Sequence, residues 1–91
     1  EKGALISNSV IRGPVYIGAG SKVVNSYIGP FTSVGDNCVI ENSEIENSVL
    51  LDNVTVKGVS LMDSLIGNNS KVEKGSKWQK LIIGENSTVI I

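Results

Sequence analysis

The sequence predicts an all-β chain wound into a solenoid of three parallel sheets, about five triangular coils long. Three observations predict it. An aliphatic residue returns every five or six positions along all 91 residues. From Ile11 on, the residue two places before each of these is uncharged and, Leu81 apart, small or β-branched. The positions between them are dominated by Asn, Gly and Asp, residues that tolerate a positive φ. In a strand, residues two apart face the same way, so each short strand turns one large and one small side chain inward.

Each element follows from that beat. The first coil is built on Ile6, Ile11 and Ile17, with corners at Asn8, Pro14 and Gly20. The second uses Val23, Ile28 and Val34, with corners at Asn25, Phe31 and Asn37. The third uses Ile40, Ile45 and Leu50, turning at Asn42, Asn47 and Asn53. Val56, Leu61 and Ile66 make the fourth, turning at Gly58, Asp63 and Asn69. Val72, Trp78 and Ile83 make the fifth, turning at Gly75, Lys80 and Asn86, and Val89 opens a further coil. Trp78 is the one non-aliphatic member of the inward series and is expected to fill a widening core. The doublets Asn8-Ser9, Asn25-Ser26 and Asn42-Ser43 recur 17 residues apart, which predicts a ladder of stacked amides along one edge. Three strands per coil distinguish this beat from a β-sandwich, whose strands recur about every 8–12 residues.

Composition agrees and excludes other classes. Ile and Val number 23 against 2 Ala, and Ser, Asn and Gly number 31, a mixture that favours strands and tight turns over helices. No apolar run is long enough to span a bilayer as a helix, so no membrane partner is expected. The first ten residues lack the basic start and apolar stretch of a signal peptide, and a single Cys forms no disulfide framework; both fit a cytoplasmic location. A net charge of −1 argues against nucleic acid as a partner. The absence of His removes Ser/His and Cys/His catalytic pairs and His-ligated zinc.

The pairs Ile17-Gly18, Ile28-Gly29, Val34-Gly35, Ile40-Glu41, Ile45-Glu46, Ile66-Gly67, Val72-Glu73 and Ile83-Gly84 resemble the hexapeptide repeat of left-handed parallel β-helices. Left-handed winding is implied by that resemblance. A narrower one rests on Arg12-Gly13-Pro14, the run Asn25-Ser26-Tyr27-Ile28-Gly29-Pro30, Ser33-Val34-Gly35-Asp36 and Asp63-Ser64-Leu65-Ile66-Gly67. These resemble the C-terminal β-helix of long-form glucose-1-phosphate thymidylyltransferases and related sugar nucleotidyltransferases. The resemblance implies that residues 1–91 are one β-helix domain, the C-terminal part of a larger enzyme. It also implies an N-terminal nucleotidyltransferase domain that carries the chemistry and its magnesium. This chain lacks the phosphate loop of that domain, so no catalytic, cofactor or metal residue is expected in it. Its expected role is structural, with self-association as a dimer or trimer. Hexapeptide acyltransferases share the repeat and are the rival reading, but they typically use a His base. An architectural solenoid unrelated to sugar metabolism is the third.

Several residues merit a functional reading beside a plain one. Tyr16, Tyr27 and Phe31 are candidate interface residues: each tyrosine precedes an inward Ile and so faces outward, and Phe31 takes a corner usually given to Gly or Asn. Lys71, Lys74, Lys77 and Lys80 recur every three residues and suit a phosphate or an acidic partner, but a solvated face is the plainer reading. Asp36, Glu41, Glu44, Glu46, Asp52 and Asp63 alternate with inward aliphatics and are expected to face water rather than perform acid/base work. Cys38 falls in the small inward column and is expected to be an inert buried thiol.

Overall fold

The computed structural model of the chain describes residues 3–73, 78–79, 82–86 and 88–90. The corner residues Gly75 and Lys80, the inward Leu81, and Lys74 and Lys77 lie outside the described residues. Sixteen short strands follow one another without a helix among the described residues. The first coil holds β1 (Leu5–Ser7), β2 (Val10–Ile11) and β3 (Val15–Ile17); the second holds β4 (Lys22–Val24), β5 (Tyr27–Ile28) and β6 (Thr32–Val34). The third holds β7 (Val39–Glu41), β8 (Glu44–Glu46) and β9 (Val49–Leu50); the fourth holds β10 (Thr55–Lys57), β11 (Ser60–Met62) and β12 (Leu65–Ile66). β13 (Lys71–Glu73), β14 (Trp78–Gln79) and β15 (Ile82–Ile83) form the fifth, and β16 (Thr88–Ile90) begins a sixth. Every third strand stacks in parallel. The first sheet runs β1-β4-β7-β10-β13-β16, the second β2-β5-β8-β11-β14, and the third β3-β6-β9-β12-β15.

The large inward column is the core. Val23, Ile28, Val34, Ile40, Ile45, Val56, Leu61, Ile66 and Val72 are all fully buried. Ile6 and Ile11 belong to the same column yet are exposed, because among the described residues no coil stacks on the first one. The small column lies inside too, and its chemistry explains why it is mostly serine. Ser26 Oγ accepts the Ser43 N–H at 3.1 Å and donates to the Val24 carbonyl at 2.7 Å. Ser9, Ser21, Ser43 and Ser48 likewise accept an N–H from the next coil. Each hydroxyl therefore satisfies an N–H that the corner turns away from the ladder, a group that is costly to bury alone.

The corners take the left-handed backbone expected of them. Asn8, Asn25, Asn42 and Gly58 have positive φ between the first and second sheets, and Gly3, Gly20, Asn37, Asn53, Asn69 and Asn86 between the third and first. Between the second and third sheets the series is Phe31, Asn47 and Asp63. At the third-to-first corner a second ladder forms: Asp36 Oδ1 accepts the Ala19 N–H, Asp52 Oδ1 that of Asp36, and Asn68 Oδ1 that of Asp52. Gly35 is required where coils approach closely, since a Cβ there would lie 2.7 Å from the Leu51 carbonyl oxygen.

One expectation is corrected. β14 pairs Trp78 with Ser60 and Gln79 with Leu61, one residue away from the expected alignment of Trp78 with Leu61. Leu61 meets its partner one residue later than the 17 expected, so the register of this strand slips by one. The neighbouring pairs Val56–Val72 and Ile66–Ile83 keep the expected register, so the slip is confined to this strand.

Candidate functional site

The candidate residues are distributed over the prism rather than gathered in one cleft. Tyr16 lies on β3 in the third sheet and is half exposed. Tyr27 lies one coil on, on β5 in the second sheet, so the two tyrosines occupy neighbouring faces as expected. Phe31 sits on the corner between those sheets. It is 68% exposed at φ 63°, and its N–H is held by the Pro14 carbonyl at 2.8 Å. A bulky residue is disfavoured in that conformation by about 1–2 kcal/mol.

Tyr27 has an internal partner. Its hydroxyl donates to Glu46 Oε2 at 3.2 Å, and its ring lies over Gly29, where a Cβ would come within 2.9 Å of the phenol oxygen. Partial burial first, and the Glu46 carboxylate second, push the phenol above its ordinary value. The acids are engaged in the same structural way. Asp36 and Asp52 serve the backbone ladder, Asp63 accepts from Asn47 Nδ2 at 2.6 Å, Glu44 accepts from Ser60 Oγ at 3.3 Å, and Glu41 lies 4.0 Å from Lys57 Nζ. Lys71 is exposed and 3.3 Å from Glu73; such surface pairs contribute about 0–1 kcal/mol. Cys38 is buried, its Sγ donates to the Leu51 carbonyl at 3.0 Å, and burial pushes its thiol above the ordinary value.

An open groove of about 390 Å³ crosses the first-to-second corner. Gly58 lines it, at the corner where Asn8, Asn25 and Asn42 stand in the coils before. Asn8 Nδ2 donates to Asn25 Oδ1, so the expected amide ladder forms at its first step. The groove offers the Asn25 and Asn42 amides, the Ser60 hydroxyl and the Glu44 carboxylate. That set hydrogen-bonds polar groups, and within it the Ser60 hydroxyl donates to the Glu44 carboxylate at 3.3 Å.

The outward positions of the third sheet form a column that single aromatics do not mark. Tyr16, Ser33, Val49, Leu65 and Ile82 are consecutive partners across its five strands. The signal was present in the sequence as an outward column without a charge.

The family model for the GMPPB C-terminal domain matches residues 11–90, nearly the whole solenoid. The chain belongs to the GMPPB C-terminal domain family. As a member of that family it is a left-handed β-helix domain, as the hexapeptide pattern implied. It is 42% identical over 91 residues to a glucose-1-phosphate thymidylyltransferase of Streptomyces griseus, covering 96% of this chain and 26% of that protein. It is 45% identical over 94 residues to a glucose-1-phosphate thymidylyltransferase of Streptomyces antibioticus, covering 99% of this chain and again 26% of the relative. A low-salt glycan biosynthesis nucleotidyltransferase of Haloferax volcanii is 34% identical over 67 residues, 68% of this chain and 19% of its own. This GMPPB C-terminal domain chain thus spans about a quarter of the length of the thymidylyltransferases it matches.

Proposed function

We propose that this chain is the non-catalytic structural and assembly domain of a sugar-1-phosphate nucleotidyltransferase of the glucose-1-phosphate thymidylyltransferase type, working in nucleotide-sugar biosynthesis in the cytoplasm. The observation that carries the reading is the match of nearly the whole chain to one quarter of two such enzymes. In this reading an upstream domain of the parent binds nucleotide, sugar phosphate and magnesium. Among the described residues no group of three His, Cys, Asp or Glu side chains is arranged to hold a metal ion, so no step is assigned to magnesium on this domain. The carboxylates support the reading through their positions: they terminate backbone ladders and hold side chains rather than converging on an open point.

The test is an assay of the 91-residue chain with glucose 1-phosphate and dTTP or UTP, and another with acetyl coenzyme A and an amino sugar. The expected result is no product above a blank without protein. Nucleotidyl transfer would place the chemistry in this chain, and acetyl transfer would move it to the hexapeptide acyltransferases.

A further inference from the structure

We infer that the groove across the first-to-second corner binds the hydroxyl groups of a neutral sugar, a role that goes beyond the structural one proposed above and does not depend on it. The sequence breaks its own pattern at this corner. The doublets Asn8-Ser9, Asn25-Ser26 and Asn42-Ser43 give way in the fourth coil to Gly58-Val59. Gly58 keeps the left-handed backbone of the corner, at φ 68° beside 50° at Asn25 and 52° at Asn42. Asn adopts that conformation in the coils before, so the turn itself does not call for glycine. What changes is the surface. No carboxamide stands at this corner of the fourth coil, and the buried Val59 replaces a serine in the lining. Asn25 and Asn42 lie along the corner beside this gap. Tyr27, Glu44 and Ser60 lie along the sheet edge as consecutive outward partners on β5, β8 and β11. The space of about 390 Å³ falls within the range of small-ligand sites, about 300–1,000 Å³.

The chemistry of the lining selects the ligand. Each carboxamide presents N–H donors and a carbonyl acceptor, and a carboxylate such as Glu44 has room for several donors beyond the Ser60 hydroxyl that it accepts at 3.3 Å. A sugar hydroxyl is both donor and acceptor, so it matches a carboxamide on both counts and a carboxylate through its O–H. A cation would meet the carboxamide N–H donors, and a single carboxylate lines the groove to offset them. A phosphate would face Glu44 without a counter-charge, because no Lys or Arg is among the lining residues. Lys57, next to Gly58 in sequence, lies on the first sheet, 4.0 Å from Glu41. The spacing fits as well. Successive coils are about 4.8 Å apart, so Asn25 and Asn42 reach different hydroxyls along one edge of a single sugar ring, and Glu44 takes another. Tyr27, its hydroxyl held by Glu46 Oε2 at 3.2 Å, gives the groove a fixed aromatic boundary. The site is open to water, which competes for every hydroxyl, so millimolar affinity is expected.

Nitrogen–proton correlation NMR of the 91-residue chain, titrated with methyl α-D-glucopyranoside to about 100 mM, tests this. The expected result is saturable shifts of the backbone amides of Asn25, Asn42, Glu44, Gly58 and Ser60, with those of the first sheet unmoved. Maltotriose in a second titration identifies the source: equal affinity marks a free sugar, and tighter binding marks the end of a glycan chain. Gly58→Asn extends the carboxamide column with a residue suited to the turn and should abolish the shifts. Glu44→Gln should weaken binding several-fold, and Glu41→Gln, on the first sheet, should leave it unchanged. The absence of saturable shifts in the wild type, or shifts that persist unaltered in both groove variants, overturns the inference. So does methylammonium moving these amides where the glucoside does not, which would make the groove a cation site. Glucose 1-phosphate binding as tightly as the glucoside overturns the preference for a neutral ligand. If Gly58→Asn loses its dispersed spectrum, Glu44→Gln decides.

Discussion

Thr32→Val should stabilise the protein, although it removes a hydroxyl from a column in which hydroxyls are structural. Thr32 is 3% exposed and stands where serines stand in the coils that follow, yet its Oγ1 has no hydrogen-bond partner. Leaving a buried hydroxyl unpaired costs about 1–3 kcal/mol, and Val replaces it with a methyl of the same shape. The expected gain is about 1 kcal/mol, a rise of about 4–8 °C in melting temperature for a chain of this size. Ser26→Ala is the matched opposite. It removes the acceptor of the Ser43 N–H at 3.1 Å, while the Val24 carbonyl keeps the Asn42 N–H, so one buried donor is orphaned and about 1–3 kcal/mol is lost. Urea and thermal unfolding followed by far-UV circular dichroism give both values. A Thr32→Val protein destabilised as much as Ser26→Ala would refute the reasoning, because it would show that the threonine hydroxyl serves the ladder as the serines do.

Phe31→Asn should gain about 1 kcal/mol by relieving a bulky residue at φ 63°, read as a higher urea midpoint. Ile40→Asp places an unpaired charge at a fully buried position and should unfold the chain, with loss of the β-sheet spectrum; Glu44→Lys, exposed, should change stability by less than about 0.5 kcal/mol. Cys38 should resist alkylation at pH 8 in the folded protein and react promptly in urea, read by mass spectrometry. Because folding raises the Cys38 thiol, its contribution to stability is complete below the ordinary thiol value of about 8.5 and is lost as pH rises through the folded value. The urea midpoint should therefore fall more between pH 8 and pH 10 in the wild type than in Cys38→Ser.

The inward aliphatics, the small column and the left-handed corners were legible because each is a local rule repeated on a fixed beat, and stacking imposes the same rule on every coil. Asn8, Asn25, Asn42 and Gly58 all adopt the conformation that their chemistry favours. The register of Trp78 was not legible for the same reason. A column continued by counting cannot register a one-residue slip, and the pairing of Trp78 with Ser60 depends on how the fifth coil closes against the fourth. The partners of Tyr27 and of the acids were hidden because they lie about one coil away, at separations of 16 to 19 residues, where rotamers and not periodicity decide who meets. The outward third-sheet column needed no structure to find, only a reading of outward positions together.

The most direct test of the account uses the parent protein with its upstream sequence, compared with the same protein truncated before this solenoid. Nucleotidyl transfer from dTTP to glucose 1-phosphate is measured on both, with sedimentation on the same samples. The account predicts that the truncated protein still forms the sugar nucleotide but as a smaller assembly. A folded truncated protein of unchanged assembly state, with product formation reduced to the blank, would contradict it.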